Sequence, residues 1–217
     1  GTFTMGSPVG ETGRLSNETE HNVTLTKGFY LGKYELNQAQ YEAVMTGNSN
    51  SLSVTPSNWS GPNRPVENVS WDDIQIFLTR LNSNEQAAGR LPTGWSYILP
   101  AESHWEYACR AGTTTAYSWG NTITALNANY NQSGINETQD IGQYAANPWG
   151  FFDMHGNVWE WTGSRVLRGG SWSRDGAGLR SAKRNGQTAS HRDNIIGFRV
   201  AFQQIDTPPT DLNPLSP

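Results

Sequence analysis

The sequence has few cysteines and few lysines. Cys109 is the only cysteine among the 217 residues, and lysine occurs at three positions. A single thiol excludes a disulfide framework, a zinc site built from several cysteines, and chemistry that needs two thiols of one chain. The formal net charge of −4 is small, so no general attraction to nucleic acid or acidic membranes is indicated. No run of about 18 apolar residues occurs, and no membrane span is expected.

Turn-forming and aromatic residues are abundant by contrast. The chain contains 23 glycines and nine tryptophans, and only 16% of its residues are charged. Glycine and small polar residues favour turns, and large aromatic side chains supply buried area. This composition is typical of a loop-rich globular domain, and it favours an extracellular or cell-surface protein over a cytosolic one.

Capping residues and apolar spacing predict three helices. A short helix is predicted over Asn37–Met45, with Asn37 as its cap. Ser70 and Asp73 form a capping box, and apolar residues follow at i, i+3, i+4 and i+7 from Ile74. The third helix is predicted over Glu102–Arg110, between a proline and a glycine.

Alternation and turn residues predict several short strands. His21–Leu25 and Phe29–Tyr34 are predicted as two strands joined by a turn at Lys27 and Gly28. Further strands are predicted at Asn157–Trp161, Val166–Gly169 and Gly197–Phe202. Residues 113–149 are expected to be irregular.

The predicted organisation is one domain over residues 1–203, followed by a Pro-rich linker or tail over residues 204–217. Asp206–Pro217 contains four prolines. Because such segments act as semi-rigid spacers, further domains of the same polypeptide are expected after Pro217.

Charge is distributed unevenly along the chain. Residues 163–199 contain eight Lys or Arg and two Asp, whereas residues 1–162 contain seven Lys or Arg and fifteen Asp or Glu. One interpretation is that the late arginines pair with the acidic majority in the fold, since arginine suits buried ion pairs. The alternative is a face that recognises anions.

Eight segments together resemble one known family. In chain order they are Gly1–Ser7, Phe29–Glu35, Arg64–Trp71, Leu99–Gly112, Asn147–Trp161, Arg168–Trp172, Leu179–Ala182 and Gly197–Arg199. Their order and spacing resemble the formylglycine-generating enzyme family, also called the sulfatase-modifying factor family, over nearly all of residues 1–203. The Gly-Asn-Val-Trp-Glu-Trp and Arg-Gly-Gly-Ser-Trp runs are the most specific parts.

The resemblance implies an α+β, C-type-lectin-like fold with short strands, two or three helices and much irregular loop. It also implies an activity, because the family's enzymes oxidise a sulfatase cysteine to formylglycine with oxygen and a copper ion held by two cysteines. Here Arg174 stands where the first of those cysteines would be, and the second falls near residues 176–178. Cu(I) prefers sulfur ligands and an arginine repels cations. Neither copper nor formylglycine generation is therefore expected, and Cys109 is predicted to be a small buried residue.

Calcium is the cofactor that the resemblance does imply. One site would use the side chains of Asp153 and Glu160 and the carbonyls of Gly156 and Val158, all oxygen donors that suit Ca²⁺. A structural turn with Glu160 in a salt bridge is the alternative. A second site would use Asn129 and the carbonyl of Tyr130, in a loop that is shorter here than in the family.

Residues 172–194 are the best candidate for a recognition surface, because small polar residues adapt to a ligand while Trp and Arg supply binding energy. The residues expected to contact a ligand are Trp172, Ser173, Arg174, Asp175, Arg184, Asn185, His191, Arg192, Asp193 and Asn194. The region is also similar to the variable proteins of diversity-generating retroelements, in which this part of the fold carries diversified ligand contacts. An ordinary solvated loop is the alternative.

Three functional hypotheses are compatible with these features. The first is a non-catalytic binding or structural module of a secreted or cell-surface, multidomain bacterial protein that recognises a protein or glycan. The second is an oxidoreductase that uses the same fold with other residues. The third is a diversified ligand-display protein. One departure bears on all three: between Trp161 and Arg165 the family carries a longer loop, so either this loop is short or residues are missing from the sequence.

Overall fold

The three predicted helices form where their caps place them in the computed structural model, which describes residues 1–205. Helix α1 spans Gln38–Met45 and helix α2 spans Trp71–Ala87, and each begins with a complete capping box. Helix α3 spans Glu102–Arg110 and ends at Ala111, whose backbone is left-handed with φ of 47°. The fold is α+β, as the sequence predicts. Within residues 1–205 no helix is long and apolar enough to cross a bilayer.

Nine short strands among the described residues form three small sheets. In chain order they are β1 (Thr2–Met5), β2 (His21–Thr24), β3 (Phe29–Leu31), β4 (Trp95–Ile98), β5 (Trp159–Trp161), β6 (Val166–Arg168), β7 (Arg184–Gly186), β8 (Ile196–Gly197) and β9 (Ala201–Gln204). Strands β1 and β2 form one sheet, β3-β9-β4 the second and β7-β6-β5-β8 the third. Only the β5–β8 pair is parallel.

The predicted hairpin around Lys27 and Gly28 is wrong. Both strands exist, but β2 pairs with β1 at the start of the chain, and β3 pairs with β9 near its end. The strand predicted at Gly197–Phe202 is also interrupted. It splits into β8, which pairs with β5, and β9, which pairs with β3 and β4 in a different sheet.

The main core lies between helices α1 and α2 and strand β5. The rings of Tyr41 and Phe77 stack at 5.4 Å, and Phe77 meets Phe198 edge-on at 5.3 Å. Trp159 and Trp161 of β5 are buried in the same cluster. Residues 113–149 contain only one short 3₁₀ turn, Asn131–Ser133, so the irregular segment is observed as predicted. The Pro-rich stretch 206–217 lies outside the described residues.

Buried ion pairs account for the uneven charge of the sequence. Five arginines from residues 163–199 pair with acidic residues from the first part of the chain: Arg168 with Glu106, Arg180 with Glu11 and Glu18, Arg184 with Glu102, Arg192 with Asp73, and Arg199 with Glu160. Three of these arginines are fully buried. The pairing interpretation is therefore confirmed for most of the basic segment.

Candidate functional site

An acidic centre forms where three distant segments meet. Glu35 follows strand β3, Asp153 lies in the turn before β5, and Glu160 lies in β5, with Arg199 as their shared cation. Arg199 binds Glu160 through two hydrogen bonds of 2.6 Å. Glu35 accepts hydrogen bonds from the side chain of Asn157 at 2.7 Å and from the backbone N–H of Val158 at 3.2 Å.

Burial dominates the electrostatics of this centre. Burial raises the pKa of Glu35 well above its usual range, and the charges of Asp153 and Glu160 raise it further, against Arg199 and the Asn157 hydrogen bond. Burial likewise raises the pKa of Asp153 to about 6, although the N–H of Gly142 donates to it at 2.6 Å. Three carboxylates thus share a single guanidinium, and a bound divalent cation would relieve their repulsion.

The turn between Asp153 and Val158 has an unusual backbone. Asp153, Gly156 and Asn157 all have positive φ, at 56°, 99° and 59°. A side chain at Gly156 would collide with the carbonyl of Asn129, so this glycine permits the turn to pack against the irregular segment. The Asp153 carboxylate and the carbonyls of residues 156 and 158 all lie within six residues of this turn. Carboxylate and carbonyl oxygens are the ligand types that calcium binds.

The side chains of the first predicted calcium site have partners within the protein. Glu160 is engaged by Arg199 and by the indole N–H of Trp105 at 2.7 Å, so the salt-bridged alternative is correct for this side chain. Glu35 was missed by the sequence prediction, although it ends the aromatic segment Phe29–Glu35. Within residues 1–205 no group of three or more His, Cys, Asp or Glu side chains has the geometry of a metal site. Calcium at Asp153, Gly156, Val158 and Glu160 stays a prediction.

The residues of the second predicted calcium site, Asn129 and Tyr130, form hydrogen bonds within the protein. The hydroxyl of Ser133 donates to the side-chain oxygen of Asn129 at 3.0 Å and to the carbonyl of Tyr130 at 2.7 Å. The amide of Asn129 donates to the carbonyl of Glu137 at 2.8 Å. Both expected ligands thus have hydrogen-bond partners within the protein, and calcium at Asn129 and Tyr130 stays a prediction.

The only thiol of the chain does not fit a copper centre. Cys109 is buried in helix α3, and burial raises its thiol pKa to about 12. Its sulfur lies 3.5 Å from Nε2 of His155. A hydrogen bond with the side chain of Ser181 lowers the pKa of the thiol, but by less than burial raises it. Arg174, at the expected position of the first copper ligand, is exposed, and its guanidinium makes no hydrogen bond within residues 1–205. The residues present cannot supply two sulfur ligands.

The predicted recognition surface separates into parts with different roles. Trp172 is half-buried, meets Trp59 edge-on at 5.0 Å and lies 3.5 Å from the carbonyl of Asn194. Ser173 and Arg174 follow it directly. Trp59 was missed because it lies in a polar, Pro-containing loop far away in sequence, where a lone tryptophan was the only signal.

Several of the other predicted ligand contacts have structural partners. Asp175 caps the 3₁₀ turn Gly176–Leu179. Arg184 binds Glu102 through two hydrogen bonds of 2.9 and 2.7 Å, on the strand that also holds Asn185. Arg192 binds Asp73 in the capping box of α2, with both distances 2.6 Å. His191 lies 3.9 Å from Asp193 in a contact that is charged only when the histidine is protonated.

The segment between Trp161 and Arg165 is a tight turn. Strands β5 and β6 pair directly, with Trp161 opposite Leu167. The backbone N–H of Thr162 donates to Val166 and that of Arg165 donates to Thr162. The residues present thus form a turn whose two ends are joined by hydrogen bonds.

Residues 1–204 match the family model described as the sulfatase-modifying factor enzyme 1-like domain. The chain belongs to this family. It is 30% identical to the chaperone protein LppX of Paenibacillus barcinonensis, over 72% of this chain and 73% of that protein. It is also 30% identical to the inactive C-alpha-formylglycine-generating enzyme 2 of Bos taurus, over 63% of this chain and 50% of that protein.

A solved structure extends the family likeness to three dimensions. PvdO from Pseudomonas aeruginosa superposes with a TM-score of 0.80 at 27% sequence identity, over 94% of this chain and 91% of that one. The sulfatase-modifying factor fold is thus present across the described residues. The sequence has a single cysteine, Cys109, so it cannot contain a pair of cysteines.

Proposed function

We propose that this chain is a non-catalytic member of the sulfatase-modifying factor family that acts as a binding or structural module of a secreted or cell-surface, multidomain protein. The observation that carries this proposal is that the sequence has only one cysteine. Cys109 is a buried residue of helix α3 with a raised thiol pKa, and the family resemblance implies Arg174 at the position of the first copper-binding cysteine.

The names of two relatives support a role without the oxidase activity. One relative is called an inactive formylglycine-generating enzyme, and another is called a chaperone protein. The family fold is thus used by proteins described in terms other than formylglycine generation. For this chain, a chaperone-like relative favours a polypeptide over a glycan as the ligand.

We assign the ligand surface to Trp172 and its neighbours. Trp172 and Trp59 form an aromatic pair, Ser173 and Asn194 add polar groups, and Arg174 supplies an exposed guanidinium. Aromatic residues and arginine dominate binding energy in protein interfaces. Arg184 and Arg192 are expected to contribute little, because each is already committed to a bidentate ion pair.

Binding to an array of extracellular peptides and glycans tests this surface. The wild-type chain is compared with the variants Trp172→Ala and Arg174→Ala, and with Trp119→Ala as a matched control, since Trp119 is 39% exposed elsewhere on the molecule. A ligand of this surface loses at least about tenfold in affinity in the first two variants and keeps its affinity in the control. Equal affinity of all four proteins would refute the assignment.

Calcium would have a structural role in this proposal. Glu35 and Asp153 are the side chains that would hold it, together with the carbonyls of Gly156 and Val158. Its charge would offset the repulsion among the buried carboxylates and fix the turn against the irregular segment. Glu160 would remain with Arg199 as the neighbouring ion pair.

A further inference from the structure

One face of the three-stranded sheet β3-β9-β4 carries aromatic side chains where polar ones are expected. Tyr30, Phe202 and Tyr97 lie opposite one another in register, and Trp95 is two residues before Tyr97 on the same face. In an antiparallel sheet with one covered face, the other face is normally polar. Here it is a continuous aromatic face.

The opposite face of this sheet is already covered. Phe29 stacks on His104 of helix α3 with ring centroids 4.0 Å apart. Leu31 packs against the cluster around Trp105 and Cys109. Helix α3 therefore accounts for one side of the sheet, and the aromatic face needs a different explanation.

The aromatic face is partly exposed: Tyr97 packs against the main core at one end, and Tyr30 faces solvent at the other. Tyr30 is 67% exposed, and the other three rings are half-buried. Phe202 lies at the centre, with ring centroids 4.6 Å from Tyr97, 4.9 Å from Trp95 and 6.2 Å from Tyr30. A contiguous exposed apolar patch of this kind marks a surface that something covers.

The chain itself supplies a segment of suitable chemistry at the rim of this face. Gln204 lies opposite Trp95, and the backbone N–H of Ile205 donates to the carbonyl of Gly94 at 2.8 Å. The next 12 residues, 206–217, contain four prolines and two leucines. Proline-rich sequences bind aromatic surfaces well, because their restricted backbone loses little entropy on docking.

We propose that the Pro-rich segment 206–217 docks on the aromatic face formed by Tyr30, Trp95, Tyr97 and Phe202. Reach does not limit this contact: 12 residues can extend to about 40 Å at most, and the ring centroids of Tyr30 and Phe202 are only 6.2 Å apart. The segment is tethered beside the face, so its effective concentration is on the order of millimolar and a weak intrinsic affinity suffices.

Nuclear magnetic resonance of the isotope-labelled full chain tests the proposal. Nuclear Overhauser effects are expected between proline ring protons and the ring protons of Trp95, Tyr97 and Phe202. The triple variant Pro208→Ala, Pro209→Ala, Pro214→Ala should lose the docked contact, so its Trp95 indole N–H signal should match that of a chain ending at Ile205. A chain ending at Ile205 should show a shifted indole N–H signal for Trp95, while Trp119, the matched control, keeps its signal.

A peptide of residues 206–217, added to the chain that ends at Ile205, should move the Trp95 signal back only at about millimolar concentration. The proposal is overturned if the full chain shows no such effects and its Trp95 signal matches that of the shortened chain. It is also overturned if the Trp95 signal depends on protein concentration together with a doubled mass. A second copy would then be the occupant.

Discussion

The buried pair Arg199–Glu160 is the strongest test of how this fold is stabilised. Both side chains are fully buried, and Arg199 also donates to the carbonyls of Gly32 at 3.1 Å and Phe152 at 3.0 Å. The substitution Arg199→Met keeps most of the volume but removes every one of these donors. Glu160 is then left with the Trp105 indole alone, close to the carboxylates of Glu35 and Asp153.

The expected loss is large. Removing one partner of a buried ion pair costs about 3–5 kcal/mol, because the remaining charge stays buried and unpaired. For a domain of this size, about 1 kcal/mol corresponds to roughly 2–4 °C in the melting temperature. Arg199→Met should therefore lower the melting temperature by roughly 6–20 °C. Urea unfolding and thermal denaturation followed by circular dichroism measure both quantities.

An exposed pair provides the matched control. Arg90 pairs with Glu85 at 2.7 Å, but its side chain is 64% exposed, so Arg90→Met should lower the stability far less than Arg199→Met. The double variant Arg199→Met, Glu160→Gln should recover part of the loss, because the unpaired charge is removed as well. If Arg199→Met were no more destabilising than Arg90→Met, the assigned role of the buried arginine would be refuted.

Four further predictions concern other parts of the molecule. Ser70→Ala should destabilise the fold by about 1 kcal/mol in urea unfolding through loss of the α2 cap, and a loss no larger than that of exposed Thr79→Ala would contradict it. Burial raises the pKa of Glu67 to about 7, so the native state holds an extra proton between the ordinary glutamate pKa and about 7, and stability should fall as pH rises through that window. Glu67→Gln should flatten this dependence. An unchanged slope of unfolding free energy against pH would contradict the raised pKa of Glu67. Cys109 should resist thiol reagents until the chain unfolds, since its thiol is buried with a pKa of about 12, and rapid native labelling would show otherwise. Calcium should raise the melting temperature of the wild type and leave that of Glu35→Gln unchanged, and calorimetric titration without any binding heat would remove the proposed site.

Sequence reasoning succeeded where the determining interactions are local. The caps of α1 and α2 depend on side chains three residues apart, such as Ser70 and Asp73, and both formed as predicted. Helix α3 likewise lies between its two breakers. The family motifs were also read correctly, since the matched domain covers residues 1–204.

Strand pairing could not be predicted in the same way. Strands of three or four residues carry little pattern, and their partners are distant in sequence: β3 near the start pairs with β9 near the end. The predicted hairpin failed because adjacency in sequence was the only guide. The short strands β1, β4 and β7 were missed because three or four residues carry too little alternation to predict a strand.

The candidate sites show the same limit. Asp153 was recognised from its motif, but its neighbour Glu35 comes from the other end of the domain, and only the fold brings the two together. Charge counting indicated that the late arginines have acidic partners, but it did not identify them. As a result, Arg184 and Arg192 were predicted as ligand contacts, although each is held in an ion pair.

The most direct test of the account is an activity measurement on the copper-treated chain. The protein is incubated with Cu(I), oxygen and a sulfatase-derived peptide that contains the target cysteine, and the peptide is analysed by mass spectrometry beside an active family enzyme. The account predicts complete conversion by the active enzyme and an unchanged cysteine with this chain. Copper-dependent formation of formylglycine by this chain would contradict the proposal that it is a non-catalytic member of its family.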